Sequence, residues 1–153
     1  MKVKIKKLHP DAVIPFKTHN GDFCYDCVAT SCEEIAPNVY KYGLGFAMEI
    51  VREDQLIGDF NTLLDIDARP RSSVWKTGMI LSNCEGTIDE PYRGEVCAVF
   101  YHVIPNMPKY RVGDKIVQIK IGATQPIEFI ESEKLSDTDR GTGGFGSTGI
   151  STK

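Results

Sequence analysis

Short runs of alternating apolar and polar residues dominate the chain, and these runs predict β-strands. Residues 63–68 place apolar side chains on one face and aspartates on the other, and residues 116–121 repeat this alternation. Residues 46–50 also indicate a strand, and residues 94–103 are apolar on both faces, which is typical of a strand buried in a core. Because no segment carries a long apolar repeat of 3.6 residues, the pattern predicts an all-β chain.

Turn-forming residues separate the apolar runs. They are Asn20-Gly21, Gly58-Asp59, Asn106-Met107-Pro108 and Gly113-Asp114. One short helix is expected at residues 72–76, and the last strand is expected to end near Ile130. Many short strands with frequent turns indicate an antiparallel sandwich, jelly roll or barrel. We therefore predict a jelly-roll-like β domain over residues 1–130, followed by a linker and a flexible glycine-rich arm over residues 131–153.

The composition fits one domain and argues against several classes of function. The chain has 153 residues, of which 41% are hydrophobic, and a formal net charge of -3. The lack of a basic field argues against binding to DNA or RNA polymers. The lysine-rich residues 1–8 lack the apolar core of a secretory signal, and no apolar run approaches the roughly 20 residues of a membrane span. We expect a cytoplasmic protein without membrane attachment.

The cysteines and histidines give no clear metal or redox motif. Five cysteines without a secretory signal predict reduced thiols. Cys24 and Cys27 have CxxC spacing, but a zinc site would need a second close pair, which Cys84 and Cys97 do not form. We interpret these cysteines as small structural side chains. The three histidines do not cluster, and we assign no catalytic role to them.

Residues 140–149 form the segment that best suits a phosphate ligand. Five of these ten residues are glycine, whose backbone N–H groups can approach an anion closely. Arg140 adds a charged fork for phosphate oxygens, and Phe145 offers a ring that can stack on a flat base. A segment so rich in glycine buries too little apolar area to order itself. We expect it to order on a ligand, and a plain solvent-exposed tail is the alternative.

Three further positions suit a phosphate or its metal ion. Residues 70–73, Pro-Arg-Ser-Ser, stand at the expected start of the short helix, where backbone N–H groups attract anions. Arg71 and Ser72 add side-chain donors there, although a plain helix cap by Ser72 is the alternative. Asp26 can reach a metal directly or through water, and Gln118 can donate a hydrogen bond to phosphate.

Residues 83–95 predict a hairpin with nucleotide-binding groups. Gly86 would lie between two short strands, whose backbone N–H and C=O groups can pair with the edge of a base. Asp89 can activate water as a general base, and Tyr92 can lie flat against a sugar. An ordinary surface hairpin with common turn residues is the alternative.

Taken in order, these segments resemble the motifs of the trimeric deoxyuridine triphosphate nucleotidohydrolases, the dUTPases. The matching residues are Tyr25-Asp26 with Ala29; Pro70-Arg71-Ser72-Ser73 with Lys76 and Gly78; Asn83 and Gly86 through Glu95; Gly113 through Gln118; and Arg140 through Gly149. The resemblance covers nearly the whole chain, and the second, third and fifth motifs are highly specific in combination.

The resemblance implies a homotrimer with shared active sites, in which residues 131–153 complete the site of a neighbour. It implies hydrolysis of dUTP to dUMP and pyrophosphate by a positioned water that attacks the α-phosphate, with Mg²⁺ as cofactor. Asp89 would be the catalytic base, and Asp26 would hold the metal through water. The implied substrate-binding residues are Arg71, Ser72, Ser73 and Gln118 at the phosphates; Asn83, Gly86 and Ile88 at uracil; Tyr92 at the sugar; and Arg140, Phe145, Gly146, Ser147 and Thr148 in the closing arm.

Some positions depart from the family pattern and leave alternatives open. Cys24 stands where glycine is usual, Cys27 replaces an aliphatic residue, and residues 52–61 look like an insertion. A dUTP-binding regulatory trimer that acts through this insertion is one alternative. A dCTP deaminase-related activity is another, although the hairpin around Asp89 resembles the dUTP-specific type. A structural β-sandwich with a passive tail is the third.

Overall fold

β-Strands make up nearly all of the regular structure in the computed structural model, which describes residues 2–51 and 63–144. The strands are β1 (Lys2–Lys7), β2 (Tyr25–Val28), β3 (Ser31–Ala36), β4 (Val39–Gly43), β5 (Phe46–Val51), β6 (Leu63–Pro70), β7 (Met79–Leu81), β8 (Gly86–Ile88), β9 (Cys97–His102) and β10 (Lys115–Thr124). Within these described residues, one 3₁₀-helix spans Ser72–Lys76. Among the described residues, no helix is long and apolar enough to span a membrane.

Two four-stranded antiparallel sheets form the body of the domain. One sheet has the strand order β2-β10-β6-β8, and the other has the order β3-β4-β9-β7. β1 pairs with β5 in a third, two-stranded sheet. Side chains from both four-stranded sheets meet in one hydrophobic core. This architecture confirms the predicted all-β, jelly-roll-like fold with one short helix.

The alternation along β6 shows how the sequence builds the core. Leu64, Ile66 and Ala68 are buried, whereas the aspartates between them are only partly buried. On the opposite sheet, Tyr42 and Phe100 are fully buried and pack edge to face with ring centroids 5.8 Å apart. Each large side chain buried in this way contributes about 1.5–3 kcal/mol to the stability of the fold.

Two expectations about strand boundaries are wrong. The last strand ends at Thr124, not near Ile130, and the next residue but one is Pro126, which has no N–H to donate to a sheet. Residues 83–95 do not form two strands that pair with each other. Only Gly86–Ile88 is a strand there, and it pairs with β6. The residues after Asp89 form a turn, and no second strand follows within this segment.

The other short signals agree with the structure where it describes them. The helix at residues 72–76 is confirmed as a 3₁₀-helix, and Tyr25–Val28 is a strand. Gly113 has a φ of 92°, which the tight turn before β10 requires and which glycine adopts without strain. The turn expected at Gly58-Asp59 lies outside the described residues.

A buried hydrogen bond gives a test of the core. The Tyr42 hydroxyl donates to the Tyr110 carbonyl over 3.0 Å. In Tyr42→Phe this buried carbonyl loses its donor, so we expect the free energy of unfolding to fall by about 1–2 kcal/mol. Urea denaturation at a fixed protein concentration measures the change. Tyr101→Phe, at an exposed side chain, is the control and should change stability by less than about 0.5 kcal/mol. Equal effects of the two variants would contradict this account of the core.

Candidate functional site

A polar cleft of about 470 Å³ lies along β2 and β10, at the end of β6. β10 runs between β2 and β6, and its register places Gln118 opposite Asp26 on one side and Arg69 on the other. Arg71 follows the last residue of β6 directly. The cleft is lined by Thr18, His19, Asp22, Phe23, Cys24, Asp26, Arg71 and Gln118. The sheet therefore brings together Asp26, Arg71 and Gln118, three of the residues predicted to act on phosphates and metal.

Two cations hold the Asp26 carboxylate at the floor of this cleft. Arg71 donates from Nε to Oδ1 over 2.8 Å and from Nη2 to Oδ2 over 3.4 Å. The Nζ atom of Lys115 lies 3.1 Å from Oδ2. Burial raises the pKa of Asp26, but the hydrogen bonds and charges of Arg71 and Lys115 outweigh it, so the pKa is lowered from its ordinary value. Asp26 is therefore an anion at neutral pH.

The start of the 3₁₀-helix adjoins the cleft through Arg71, whereas Ser72 and Ser73 are not among the residues that line it. Arg71, not Ser72, occupies the position before the helix, and no side chain caps it. The interpretation of Ser72 as a plain helix cap is therefore wrong. Its side chain is exposed. Ser73 contacts Arg71, whose Nη1 donates to its Oγ over 3.3 Å. Gln118 donates from Nε2 to the Pro70 carbonyl over 3.2 Å, which ties β10 to the start of this helix.

A second, smaller pocket of about 140 Å³ lies between the two four-stranded sheets. Asn83, Gly86 and Ile88 line it, as do residues of β7 and β9. A Cβ atom at position 86 would lie 2.9 Å from Nδ2 of Asn83, so glycine is needed for the asparagine amide to stay in place. The structure thus brings together the three residues predicted to bind a base.

Asp89 and Tyr92 lie on the turn that follows β8. The Tyr92 N–H donates to the Asp89 carbonyl over 2.9 Å, and the Tyr92 hydroxyl donates to the Glu95 carbonyl over 3.1 Å. A Cβ atom at Gly94 would collide with the Tyr92 hydroxyl, so the ring folds over a position that only glycine permits. The carboxylate of Glu95 accepts from the Gly45 N–H over 2.9 Å and anchors the turn to the loop between β4 and β5.

Asp89 and Arg71 lie at opposite ends of β6. β8 pairs antiparallel with β6, with Ile88 opposite Ile66, so Asp89 lies near the level of Asp65. Arg71 is six residues further along the chain than Asp65. At about 3.3 Å per residue, the two positions are separated by about 20 Å within one chain. The cleft around Asp26 and the catalytic candidate Asp89 therefore do not meet in a single subunit.

The C-terminal segment is extended and exposed. Its apolar side chains are Ile127, Phe129, Ile130 and Leu135, all between 72% and 90% exposed. Arg140 is also exposed, and its Nε donates to the Gly143 carbonyl over 2.9 Å. The predicted arm residues Phe145, Gly146, Ser147 and Thr148 lie outside the described residues.

Sequence reasoning placed Lys115 in a matching motif but gave it no role, and it did not identify the loop residues that form the far wall of the polar cleft, Thr18, His19, Asp22 and Phe23. Ile116 and Val117 are both fully buried, because the pairing of β10 with β2 shifts register between Lys115 and Val117. Such a bulge re-aims a side chain, and simple alternation cannot reveal it. The CxxC cysteines differ in environment: Cys24 lines the cleft, whereas burial and the neighbouring Asp26 charge raise the pKa of Cys27 to about 12. Cys27 therefore remains a structural thiol.

Comparison with known proteins gives consistent matches. The dUTPase family model matches residues 68–149. The deoxyuridine 5'-triphosphate nucleotidohydrolase of Helicobacter pylori (strain P12) is 36% identical over 154 residues, with 99% of each chain covered.

Two solved structures show a similar fold. A mutant dUTPase of Staphylococcus bacteriophage 80alpha with dUpNHpp has a TM-score of 0.74 and 19% identity, covering 97% of this chain and 99% of that one. A mutant dUTPase of phage phi11 of S. aureus, described with a structural Mg(II) ion, has a TM-score of 0.67 and 17% identity. That match covers 88% of this chain and 98% of the phage chain.

The Asp26 cluster predicts a specific dependence of stability on pH. Because the pKa of Asp26 is lower in the folded state, its contribution is complete above the unfolded pKa and is lost as pH falls through the folded pKa. At pH 7, Asp26→Asn should lower the free energy of unfolding by about 1–3 kcal/mol. The difference from the wild type should shrink progressively below about pH 4.

Urea denaturation between pH 7 and pH 2 measures this difference. Asp137→Asn, in the exposed C-terminal segment, is the matched control and should show no such change. A difference between wild type and Asp26→Asn that stays constant down to pH 2 would contradict the charged cluster.

Proposed function

The chain belongs to the dUTPase family and hydrolyses dUTP to dUMP and pyrophosphate, and from this premise we propose that its two separate clefts are parts of one active site shared between subunits of a homotrimer. The separation of about 20 Å between Asp89 and Arg71 carries this proposal. A water molecule and the phosphorus atom that it attacks must lie about 3–3.5 Å apart in the reactive complex. A single chain holds the two groups at opposite ends of β6, whereas adjacent copies in a closed ring can bring one of each to the same substrate.

The smaller pocket would bind uracil. Backbone N–H and C=O groups around Gly86 and Ile88 would pair with the edge of the base, and the Asn83 amide would add a side-chain contact. The ring of Tyr92 would press on the deoxyribose and occupy the space that a 2′-hydroxyl needs. Its position is supported by the hydrogen bond from its hydroxyl to Glu95 and by the lack of a side chain at Gly94.

The polar cleft would bind the triphosphate. Arg71, Ser72, Ser73 and Gln118 would donate hydrogen bonds to phosphate oxygens, with the guanidinium providing a two-pronged, charge-assisted contact. The donors lie at one end of β6, where Arg71 would exchange its contact with Asp26 for one with the phosphates.

Asp26 is suited to hold a hydrated Mg²⁺ beside these phosphates. The described residues contain no group of three metal-binding side chains, which argues against an ion bound by protein alone. Mg²⁺ usually keeps several waters and binds through one or two carboxylates together with substrate phosphates, and the anionic Asp26 on the open cleft fits this mode. When bound, the ion supplies charge neutralisation at the phosphate oxygens.

Asp89 of a neighbouring subunit would orient and deprotonate the attacking water. Its side chain is exposed in the single chain, which leaves it accessible to a substrate held on the adjacent copy. The water oxygen would bond to the α-phosphorus while the bond from that phosphorus to the bridging oxygen breaks. The products are dUMP and pyrophosphate. General-base catalysis of this kind contributes roughly 10²–10⁴-fold to the rate.

Residues 131–153 would act as the arm that closes a neighbour's site. The exposed Ile127, Phe129, Ile130 and Leu135 support this role, because a run of large apolar side chains in solvent marks a surface that another molecule covers. Packing of this segment on an adjacent subunit would bring Arg140, Ser147 and Thr148 to the terminal phosphate. Phe145 and the backbone of Gly146 would then cover the base.

We expect Asp89→Asn to bind dUTP with nearly normal affinity and to hydrolyse it at least about 100-fold more slowly, because the amide cannot accept the water's proton. Calorimetry with dUpNHpp measures binding, and pyrophosphate release measures turnover. The control is Glu33→Gln, on the exposed strand β3 and outside both pockets, which should behave as wild type. Turnover within about threefold of wild type would refute the catalytic role of Asp89.

Mixed trimers test the shared site. Asp89→Asn and Arg71→Ala chains should each be inactive alone. After unfolding and co-refolding at equal concentrations, about one quarter of the sites should receive an intact Asp89 from one chain and an intact Arg71 from its neighbour, given random assembly into closed trimers. Differently tagged chains establish that mixed trimers form. Mixed trimers without regained pyrophosphate release would mean that each site lies within one chain.

Two alternative functions have distinct readouts. A dCTP deaminase-related activity would release ammonia from dCTP, and a purely regulatory trimer would bind dUTP without releasing pyrophosphate. No described residue favours either alternative. The insertion proposed to contact a regulatory partner, residues 52–61, lies outside the described residues.

A further inference from the structure

Lys115 contacts two residues that line the polar cleft, Asp26 and Thr18, and one further residue, Phe16. Its Nζ atom lies 3.1 Å from Oδ2 of Asp26 and donates to Oγ1 of Thr18 over 3.3 Å. The same ammonium group lies over the ring of Phe16, 4.7 Å from its centroid. Only 33% of the side chain is exposed. Lys115 therefore links β10 to the carboxylate on β2 and to the loop that forms the far wall of the cleft.

The backbone around Lys115 is held in place by local hydrogen bonds. The Asp114 carboxylate accepts from the Arg111 N–H over 2.7 Å and closes the turn before β10. The Asp114 carbonyl accepts from the Ala29 N–H over 3.0 Å, and the Gly113 N–H donates to the Ala29 carbonyl over 2.8 Å. The backbone that carries the Lys115 side chain is thus fixed, and less conformational entropy is lost when its ammonium group pairs with Asp26.

The two oxygens of Asp26 have different partners. Oδ1 accepts from Arg71 Nε at 2.8 Å, whereas Oδ2 is shared between Lys115 at 3.1 Å and Arg71 Nη2 at 3.4 Å. Arg71 has two competing tasks, because a guanidinium that turns its fork to a phosphate gives up its two-pronged contact with a carboxylate. When Arg71 turns, Oδ1 becomes free and Oδ2 keeps Lys115.

We propose that Lys115 is a positioning residue that holds Asp26 oriented for a metal-bound water when Arg71 engages the phosphates. The ammonium group would retain Oδ2, and Oδ1 would accept the hydrogen bond of the hydrated ion. The inference rests on the proposed function, because it assumes that Asp26 holds a hydrated Mg²⁺ beside the triphosphate. Partners of metal-binding groups commonly have effects of 10–100-fold on metal affinity.

Calorimetric titration with the dUTP analogue dUpNHpp tests the proposal without catalysis. The measured quantity is the gain in analogue affinity that a saturating concentration of Mg²⁺ gives over EDTA. Lys115→Met keeps the length of the stem but removes the charge, and we expect it to lose about 10-fold of this gain. Lys115→Arg restores a cation and should recover most of it.

Matched variants separate positioning from folding. Lys120→Met alters a lysine on the same strand that does not contact Asp26, and it should keep the full gain. Thermal melting shows whether each variant is folded. If Lys115→Met does not fold, Lys115→Gln is used in its place. In either variant, equal loss of affinity with and without Mg²⁺ would indicate a merely structural lysine and overturn the proposal. A larger gain would also overturn it, because charge repulsion between Lys115 and the ion would then dominate.

The wild-type titration separates this inference from the function on which it rests. A wild-type protein that does not bind dUpNHpp would contradict the proposed nucleotide site. A wild-type protein that binds the analogue but gains nothing from Mg²⁺ would overturn the metal role of Asp26, and the role of Lys115 with it. An intact gain in both wild type and Lys115→Met would overturn the role of Lys115 alone.

Discussion

The pairing of β10 with β2 on one side and β6 on the other is the constraint on which the polar cleft depends. Ile116, Val117 and Ile119 of β10 are buried in the core, so a slip of one residue would turn apolar side chains to solvent and polar ones inward. The hydrophobic core therefore fixes the register, and the register places Gln118 opposite Asp26. Asp26 therefore lies within reach of Arg71 and Lys115 because the buried apolar residues beside them allow no other strand register.

The same sheet also separates the functional groups. β6 carries Arg71 at one end, while its partner β8 delivers Asp89 near the other, and the rigidity of paired strands keeps them apart. In the proposed trimer this distance is bridged by a neighbouring copy and not by a movement within one chain. The exposed apolar side chains between residues 127 and 135 fit that arrangement, because they remain uncovered in a single subunit.

Much of the fold followed from local patterns, since strict alternation in β6 and frequent turns leave few other folds open. The short helix and the grouping of Asp26, Arg71 and Gln118 also agree with sequence-based expectation. The predicted end of β10 was wrong because the apolar residues beyond Thr124 suggested a strand, although they pair with no strand among the described residues. The position of Lys115 was missed because it depends on a register shift, which arises from pairing between distant strands and leaves no mark on local alternation.

In the turn after β8, the ring of Tyr92 limits which residues can stand at position 94. The Tyr92 hydroxyl occupies the space where a side chain at position 94 would begin. A substitution at Gly94 is therefore acceptable only after the ring at position 92 has been shortened or moved. The two positions therefore depend on each other: a smaller side chain at position 92 would make room for a side chain at position 94, whereas a substitution at position 94 alone would displace the tyrosine ring.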